Sequence, residues 1–298
     1  MSRARPKACI IALAVLASWL AGCTGTEQAA TRPAAPAADS GSRSDGAGAG
    51  GTGSAAPPNG SAESRPRWAP RPGLTWQWQL SGRLDVSVPA QVYDVDLFDT
   101  SADQVRHLHA LGRKVICYLD VGSYEPDRPD SAKYPRALLG RPLDGWPNER
   151  WLDIRRLDLL GPLIAARMDL CAAKGFDGVE PDNVDGFSND TGFPLTAAEQ
   201  GRFNTRVAEL AHRHGLAVGL KNDLDQVSAL QPSFDFAVNE QCVQYHECAS
   251  LSPFVRAGKA VFHVEYHLPL ARLCPVTRPL GFSSMKKRPS LDAARWPC

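Results

Sequence analysis

The chain has 298 residues, with 33 Lys+Arg against 32 Asp+Glu and a net charge of +1. With no basic excess and no basic cluster, nucleic acid is not an expected partner. Apolar residues make up 43% of the chain, enough for a sizeable core, and eight cysteines suit an oxidising compartment.

The first 22 residues read as a signal peptide. Arg3, Arg5 and Lys7 open it, and residues 10–20 form an apolar run. That run is too short for a membrane span, which needs about 20 residues. Leu20-Ala21-Gly22-Cys23 has the form of a bacterial lipobox. It predicts cleavage before Cys23, lipidation of its thiol and an exported protein held to the cell envelope through lipid alone. Residues 23–67 are rich in Ala, Gly, Ser and Pro without apolar periodicity, the composition of a flexible tether. Once the three basic residues of the signal are removed, 30 Lys+Arg face 32 Asp+Glu. Residues 68–298 have the size of one (β/α)₈ barrel, expected to act as a monomer.

Eight apolar, β-branched runs predict strands at 75–80, 91–98, 114–119, 178–180, 217–220, 236–239, 260–264 and 279–282. Between them, helical spacing predicts helices at 102–111, 157–173, 196–214, 225–230 and 251–257, the third opened by a Thr196/Glu199 capping box. Alternating strands and helices imply a parallel sheet, and eight repeats favour closure into a barrel. Trp76 and Trp78 alternate with Gln77 and Gln79, so one face of the first strand should line the barrel and the other pack under a helix. No G-x-G-x-x-G opens a helix, which removes support for a dinucleotide site. The connection at 121–156 is long and carries Tyr124, Tyr134, Trp146 and Trp151. Those aromatics either wall a cleft for sugar rings or pack the loop onto the barrel.

The strand ends are unusually acidic. Residues 175–186, GFDGVEPDNVDG, start as a buried strand and then present Glu180, Asp182, Asn183 and Asp185. Asp96, Asp120, Asn222, Asp223, Asn239, Glu240 and Glu265 end other runs. Some Asp and Asn merely cap helices, as Asp99 and Asp225 do by position. The others should converge on the C-terminal mouth of a barrel, where such folds keep their chemistry. Crowded carboxylates raise one another's pKa, which supplies a proton donor near neutral pH.

Cys117 and Cys171 fall on apolar faces and read as buried thiols. Cys242 with Cys248, spaced C-x5-C, and Cys274 with Cys298 remain as candidate disulfides. His246 between two of them makes only a weak metal set.

An ordered series of motifs, WQWQLSG, YDVDLFDT, KVICYLDVGSYE, ERWLDI, GFDGVEPDNVD, GLKND and NEQC-x-x-Y-x-EC, resembles the endo-α-1,4-polygalactosaminidases, glycoside hydrolase family 114. The resemblance covers nearly all of residues 76–266. It implies a (β/α)₈ barrel hydrolysing α-1,4-linked galactosamine polymers without a metal or organic cofactor, with Asp120 and Glu180 as the catalytic acids. Glu180 is then the general acid/base, its pKa raised by Asp182 and Asp185, and Asp120 the nucleophile or stabilising carboxylate, with the reverse assignment left open. Asp96, Tyr124, Asp182, Asn183, Asp185, Asn222, Asp223, Glu240 and Glu265 are expected to contact a cationic amino-sugar chain. The alternatives are a metal-dependent barrel hydrolase, since clustered acids also hold Mg²⁺ or Ca²⁺, and a surface-anchored glycan-binding protein with little turnover.

Overall fold

The computed structural model describes residues 67–298. The expected signal peptide, the Cys23 lipidation site and all but the last residue of the tether lie outside the described residues.

Eight parallel strands form the sheet: β1 (Trp76–Gln79), β2 (Val92–Asp96), β3 (Lys114–Asp120), β7 (Gly178–Asp182), β8 (Ala217–Lys221), β9 (Phe236–Glu240), β10 (Val261–Glu265) and β11 (Ser283–Lys287), hydrogen-bonded in that order. A short antiparallel strand, β12 (Arg295–Pro297), pairs with β11. The seam between β11 and β1 is closed by the end of the chain. Leu80 N–H donates to the Leu291 carbonyl (3.0 Å), Gln77 Nε2 to that of Ala293 (2.8 Å), and the Arg295 guanidinium to that of Trp76. The result is the (β/α)₈ barrel that the repeats imply.

Period-two alternation sorts the side chains into two cores. Trp76, Trp78, Val92, Ile116, Ala217, Phe236, Val238, Phe262, Val264 and Met285 fill the barrel. Tyr93, Val95, Val115, Cys117, Val179, Val218 and Leu220 point outward, against α1 (Ala102–Ala110), α2 (Leu157–Lys174) and α3 (Ala197–Arg213). The Thr196/Glu199 capping box opens α3, and a second, Ser101/Gln104, opens α1. Shorter helices follow: α4 (Val227–Leu230), α5 (Ser252–Arg256) and α6 (Leu270–Thr277).

Four expectations need correction. The eighth strand runs at Ser283–Lys287, because Pro279-Leu280-Gly281 turns the chain, with Gly281 at φ 73°. Helix α6 has no counterpart among the expected helices. The Gln face of β1 packs under loops rather than a helix, with Gln79 Nε2 donating to the carbonyls of Ser81 and Arg83. Cys117 and Cys171 are not free thiols. They are joined in a disulfide that staples β3 to α2, beside the expected bridges Cys242–Cys248 and Cys274–Cys298.

The long connection after β3 folds into a three-stranded antiparallel sheet, β4 (Ser123–Tyr124), β6 (Trp146–Leu152) and β5 (Leu139–Leu143), in that order. Its root is pinned to the end of β7. Val121 and Gly122 N–H both donate to the Asp182 carbonyl, and a Cβ on Gly122 would stand 1.7 Å from the Asn183 carbonyl oxygen. Only glycine fits there. Arg167 of α2 is the second anchor. It is 2% exposed and donates to the Asp120 carbonyl (2.7 Å) and to both oxygens of Asp130 in the insert (2.8 and 2.9 Å).

Candidate active site

Inward positions at the C-terminal ends of the strands are polar where the lower barrel is apolar. On β3 the sequence Ile116, Tyr118, Asp120 climbs one face, and on β7 Glu180 and Asp182 follow Gly178. Register sets Tyr118 beside Glu180 and Asp120 beside Asp182, so the two expected catalytic acids sit diagonally on adjacent strands. Neighbouring strands about 4.8 Å apart and a rise of about 3.3 Å per residue put their Cα atoms roughly 8 Å apart.

Asp120 is 1% exposed and held by four donors. Gly122 N–H (3.1 Å) and Ser123 N–H (2.7 Å) reach Oδ1, while the Ser123 hydroxyl and Asn183 Nδ2 (2.6 Å) reach Oδ2. Burial and the charge of Asp182 push its carboxyl up to about 6, against the pull of those hydrogen bonds.

Glu180 is fully buried. The Lys221 ammonium, on the inward face of β8, lies 2.9 Å from its Oε1, 3.0 Å from Asp182 Oδ1 and 3.5 Å from Glu240 Oε2, and sits 4.8 Å from the Trp78 ring centre. Its three carboxylates outweigh burial and keep Lys221 charged. The Glu180 pKa is raised, mainly by burial; Lys221 and a hydrogen bond from Asp94 oppose the rise and Asp182 adds to it. The expected cause, repulsion by Asp182 and Asp185, is therefore secondary to burial. Asp182 itself is held low in spite of burial by Lys221, the Tyr118 hydroxyl (2.8 Å) and the Asn183 N–H (2.8 Å).

The remaining expected residues separate into groups. Asp185 lies near this centre, its carboxyl pushed to about 6 by burial and Asp182. Glu240 joins it through Lys221, and Tyr266 donates its hydroxyl to Glu240. Asn183 and Asn222 orient carboxylates: the first holds Asp120, and Asn222 Nδ2 reaches Glu240 Oε2 (3.3 Å) while its Oδ1 accepts from Asn239 Nδ2 (3.2 Å). Asp223 turns toward α3, where Asn204 Nδ2 donates to it (2.8 Å), and burial drives its carboxyl to about 8. Asp96 caps a turn through Phe98 and Asp99 N–H (2.7 and 3.0 Å) and pairs with Arg128 (2.7 Å). Tyr124 packs edge-on against buried Tyr134 (5.8 Å). Trp151 is buried too, whereas Trp146 stays 46% exposed. Tyr124, Tyr134 and Trp151 thus pack the insert onto the barrel.

Glu265 is not at the mouth. It shares the outward parity of Val261 and His263, and its Oε1 accepts from Val243 N–H (2.8 Å) and Gln244 N–H (3.2 Å) beneath the loop after β9. Tyr266, one residue on, faces inward. Cys242, Cys248 and His263 have the spacing of a metal set among the described residues, but the two sulfurs are bonded to each other.

Several groups at the mouth escaped the sequence reading. Lys221 is a single cation inside an apolar run. Asp94 was legible by parity, since it stands midway between inward Val92 and Asp96. Glu125 and Glu149 lie in the insert, where no periodicity marks them. Burial and Asp120 raise Glu125 to about 7 and Glu149 to about 8.

A pair of carboxyl groups lodged in a polar mouth is the arrangement most glycosidases use. A family model for glycoside-hydrolase family GH114 matches residues 57–298. The chain belongs to glycoside-hydrolase family GH114. It is a glycosidase of the endo-α-1,4-polygalactosaminidase type, and among solved structures this GH114 chain is similar to Aspergillus fumigatus Ega3 in complex with galactosamine. The identity is 37% and the TM-score 0.75, over 78% of this chain and 98% of that one. The glycoside hydrolase domain of PelA from Pseudomonas aeruginosa shares the fold at 16% identity and TM-score 0.60, covering 75% and 98%. No curated protein matches the sequence.

Proposed function

We propose that this GH114 enzyme cleaves α-1,4-linked galactosamine polysaccharide with Glu180 as general acid/base and Asp120 as the opposing carboxylate. The observation that carries this reading is the contrast between the two groups. Asp120 accepts four hydrogen bonds, which suits a group that is an anion above about pH 6 and faces an oxocarbenium-like centre. Glu180, buried and raised in pKa, suits a group that gives a proton to the leaving oxygen and takes one back from water.

The substrate class follows from charge. Lys221 answers Glu180, Asp182 and Glu240, and Arg128 answers Asp96. Asp120 and Asp185, both with pKa values of about 6, add further negative charge around the mouth at neutral pH. A polymer carrying free ammonium groups complements that field, and the similarity to Ega3 in complex with galactosamine supports the same class. The lipobox at Cys23 supports a site of action at the cell envelope, with residues 23–67 as the tether to a lipid anchor.

The test is oligosaccharide release from de-N-acetylated and fully N-acetylated α-1,4-galactosamine polymer. Faster release from the free-amine polymer is expected, with the advantage shrinking as salt is raised. Equal rates on both would defeat the charge argument.

A further inference from the structure

Asp94 stands one layer below the catalytic groups, and nothing in the chemistry above calls on it. It has no solvent exposure, and no neighbouring N–H or O–H reaches either of its oxygens. A valine would fill that inward position at no desolvation cost, as Val92 does one layer lower. Glu180 is equally buried inside the barrel, and apart from the Lys221 ammonium its two oxygens, like those of Asp94, accept from no N–H or O–H among the described residues. The two carboxyls interact with each other through charge and a side-chain hydrogen bond, which raises the pKa of Asp94 and lowers that of Glu180.

Two buried carboxyls in contact cannot both be ionised. One must hold a proton and donate it to the other, and the surroundings decide which. Lys221 lies 2.9 Å from Glu180 Oε1 and so favours the negative charge on Glu180. Asp94 has no cation within ion-pair distance among the described residues. The groups that face Glu180 are Asp182 on its own strand, Glu240 on β9 and Tyr266 just after β10. Tyr118 on β3 gives its hydroxyl to Asp182. Apart from Lys221, none of them supplies a positive charge.

We propose that Asp94 is a positioning residue for Glu180, an un-ionised carboxylic acid that keeps its proton throughout the catalytic cycle and donates its O–H to the Glu180 carboxyl, most strongly when that group is the carboxylate. This rests on the reading of Glu180 as the acid/base. Burial alone would leave Glu180 protonated and a poor acid. The O–H of Asp94 stabilises the anion left when Glu180 releases its proton to the glycosidic oxygen, and fixes the carboxylate plane for the return transfer from water. Asp94 keeps its own proton in both steps. Burial and the adjacent Glu180 charge hold it well above the ordinary aspartate range.

Three variants of the full chain test this: Asp94→Asn, whose amide N–H can replace the O–H, and Asp94→Ala and Asp94→Leu, which cannot donate. The alkaline limb of kcat/KM reports the acid. In Asp94→Ala and Asp94→Leu it should move up by about one pH unit, with kcat down about tenfold or more and KM nearly unchanged. Asp94→Asn should restore the limb and most of kcat. Equal losses in all three with the limb unmoved would make Asp94 a structural residue and overturn the proposal.

Infrared difference spectra between parent and Asp94→Asn at pH 7 supply a readout independent of turnover. The parent should show one more un-ionised carboxyl, and its absence would also overturn the proposal. If the parent releases nothing from any amino-sugar polymer, the proposed function fails and the infrared result still decides the protonation of Asp94. If the parent is active and the limb stays in place, only the role of Asp94 fails.

Discussion

Lys221 Nζ lies 2.9 Å from Glu180 Oε1, with both side chains buried inside the top of the barrel. The same ammonium also meets Asp182 and Glu240, so one cation answers three carboxylates from three strands. Breaking a buried charge network by removing one partner costs about 3–5 kcal/mol. Lys221→Met should therefore lower the thermal midpoint by about 5 °C or more, at roughly 2–4 °C per kcal/mol for a domain of this size. It should also reduce turnover about a hundredfold, because the anion of Glu180 loses its counter-charge. A Lys221→Met protein as stable and active as the parent would show that the three acids do not need the ammonium.

On the proposed mechanism, Asp120 should set the acid side of the pH profile. Its carboxyl is pushed up to about 6, mainly by burial, and the mechanism needs it ionised. The kcat/KM ratio should thus rise with pH through about 6. Removing the Asn183 donor, which favours the anion, should move that limb upward in Asn183→Ala. A limb that stays put in this variant would show that Asp120 does not control it.

Asp223 makes the protein less stable as pH rises. Its pKa is about 8 when folded, against the ordinary aspartate value of 3.8, so the folded state holds the extra proton between those limits. The stabilisation is complete below about pH 4 and is lost as pH climbs through 8. Asp223→Asn removes this dependence. Asparagine also tolerates the positive φ of 45° at that position. Relative to the parent, the variant should gain about 1 kcal/mol or more at pH 8 and much less at pH 5. Urea unfolding at the two pH values measures the difference, and an equal change at both would rule the account out.

The Cys117–Cys171 bridge spans 54 residues of sequence and links β3, which carries Asp120, to α2, which carries Arg167. By the chain-entropy relation a loop of that length contributes about 4 kcal/mol. The denatured, unreduced protein should show no reactive thiol among the six cysteines of residues 67–298, and Cys117→Ala/Cys171→Val should melt well below the parent. Two reactive thiols would return Cys117 and Cys171 to the expected free state.

The barrel was legible because strand parity and repeat spacing are local properties of the chain. Seven of the eight strands fall where apolar runs place them. The eighth was displaced because SSMKK offers only Met285 to the core, while the apolar Leu280 and Phe282 just before it belong to a turn. Helix α6 was hidden by Pro269 and Pro275 at its start and within it. The acid ring was legible as composition, but its electrostatics were not. Lys221 looks like one polar residue in GLKND until three strands close around it. Cys117 and Cys171 each looked like a lone apolar-face thiol, and only the packing of α2 on the outer face of β3 pairs them. Glu265 follows a buried run as Glu180 does, yet its parity turns it outward and gives Tyr266 the inward place. Glu125 and Glu149 come from an insert whose small sheet no periodicity announces.

The most direct measurement is reducing-end release from de-N-acetylated α-1,4-galactosamine polymer by the parent, Glu180→Gln and Asp120→Asn, with all three shown to share one thermal midpoint within a few degrees. The account predicts steady release by the parent and a loss of about 10³-fold or more in each variant, as expected when either carboxyl of a glycosidase pair is removed. Release undiminished in either variant would contradict it, since the chemistry would then rest on other groups.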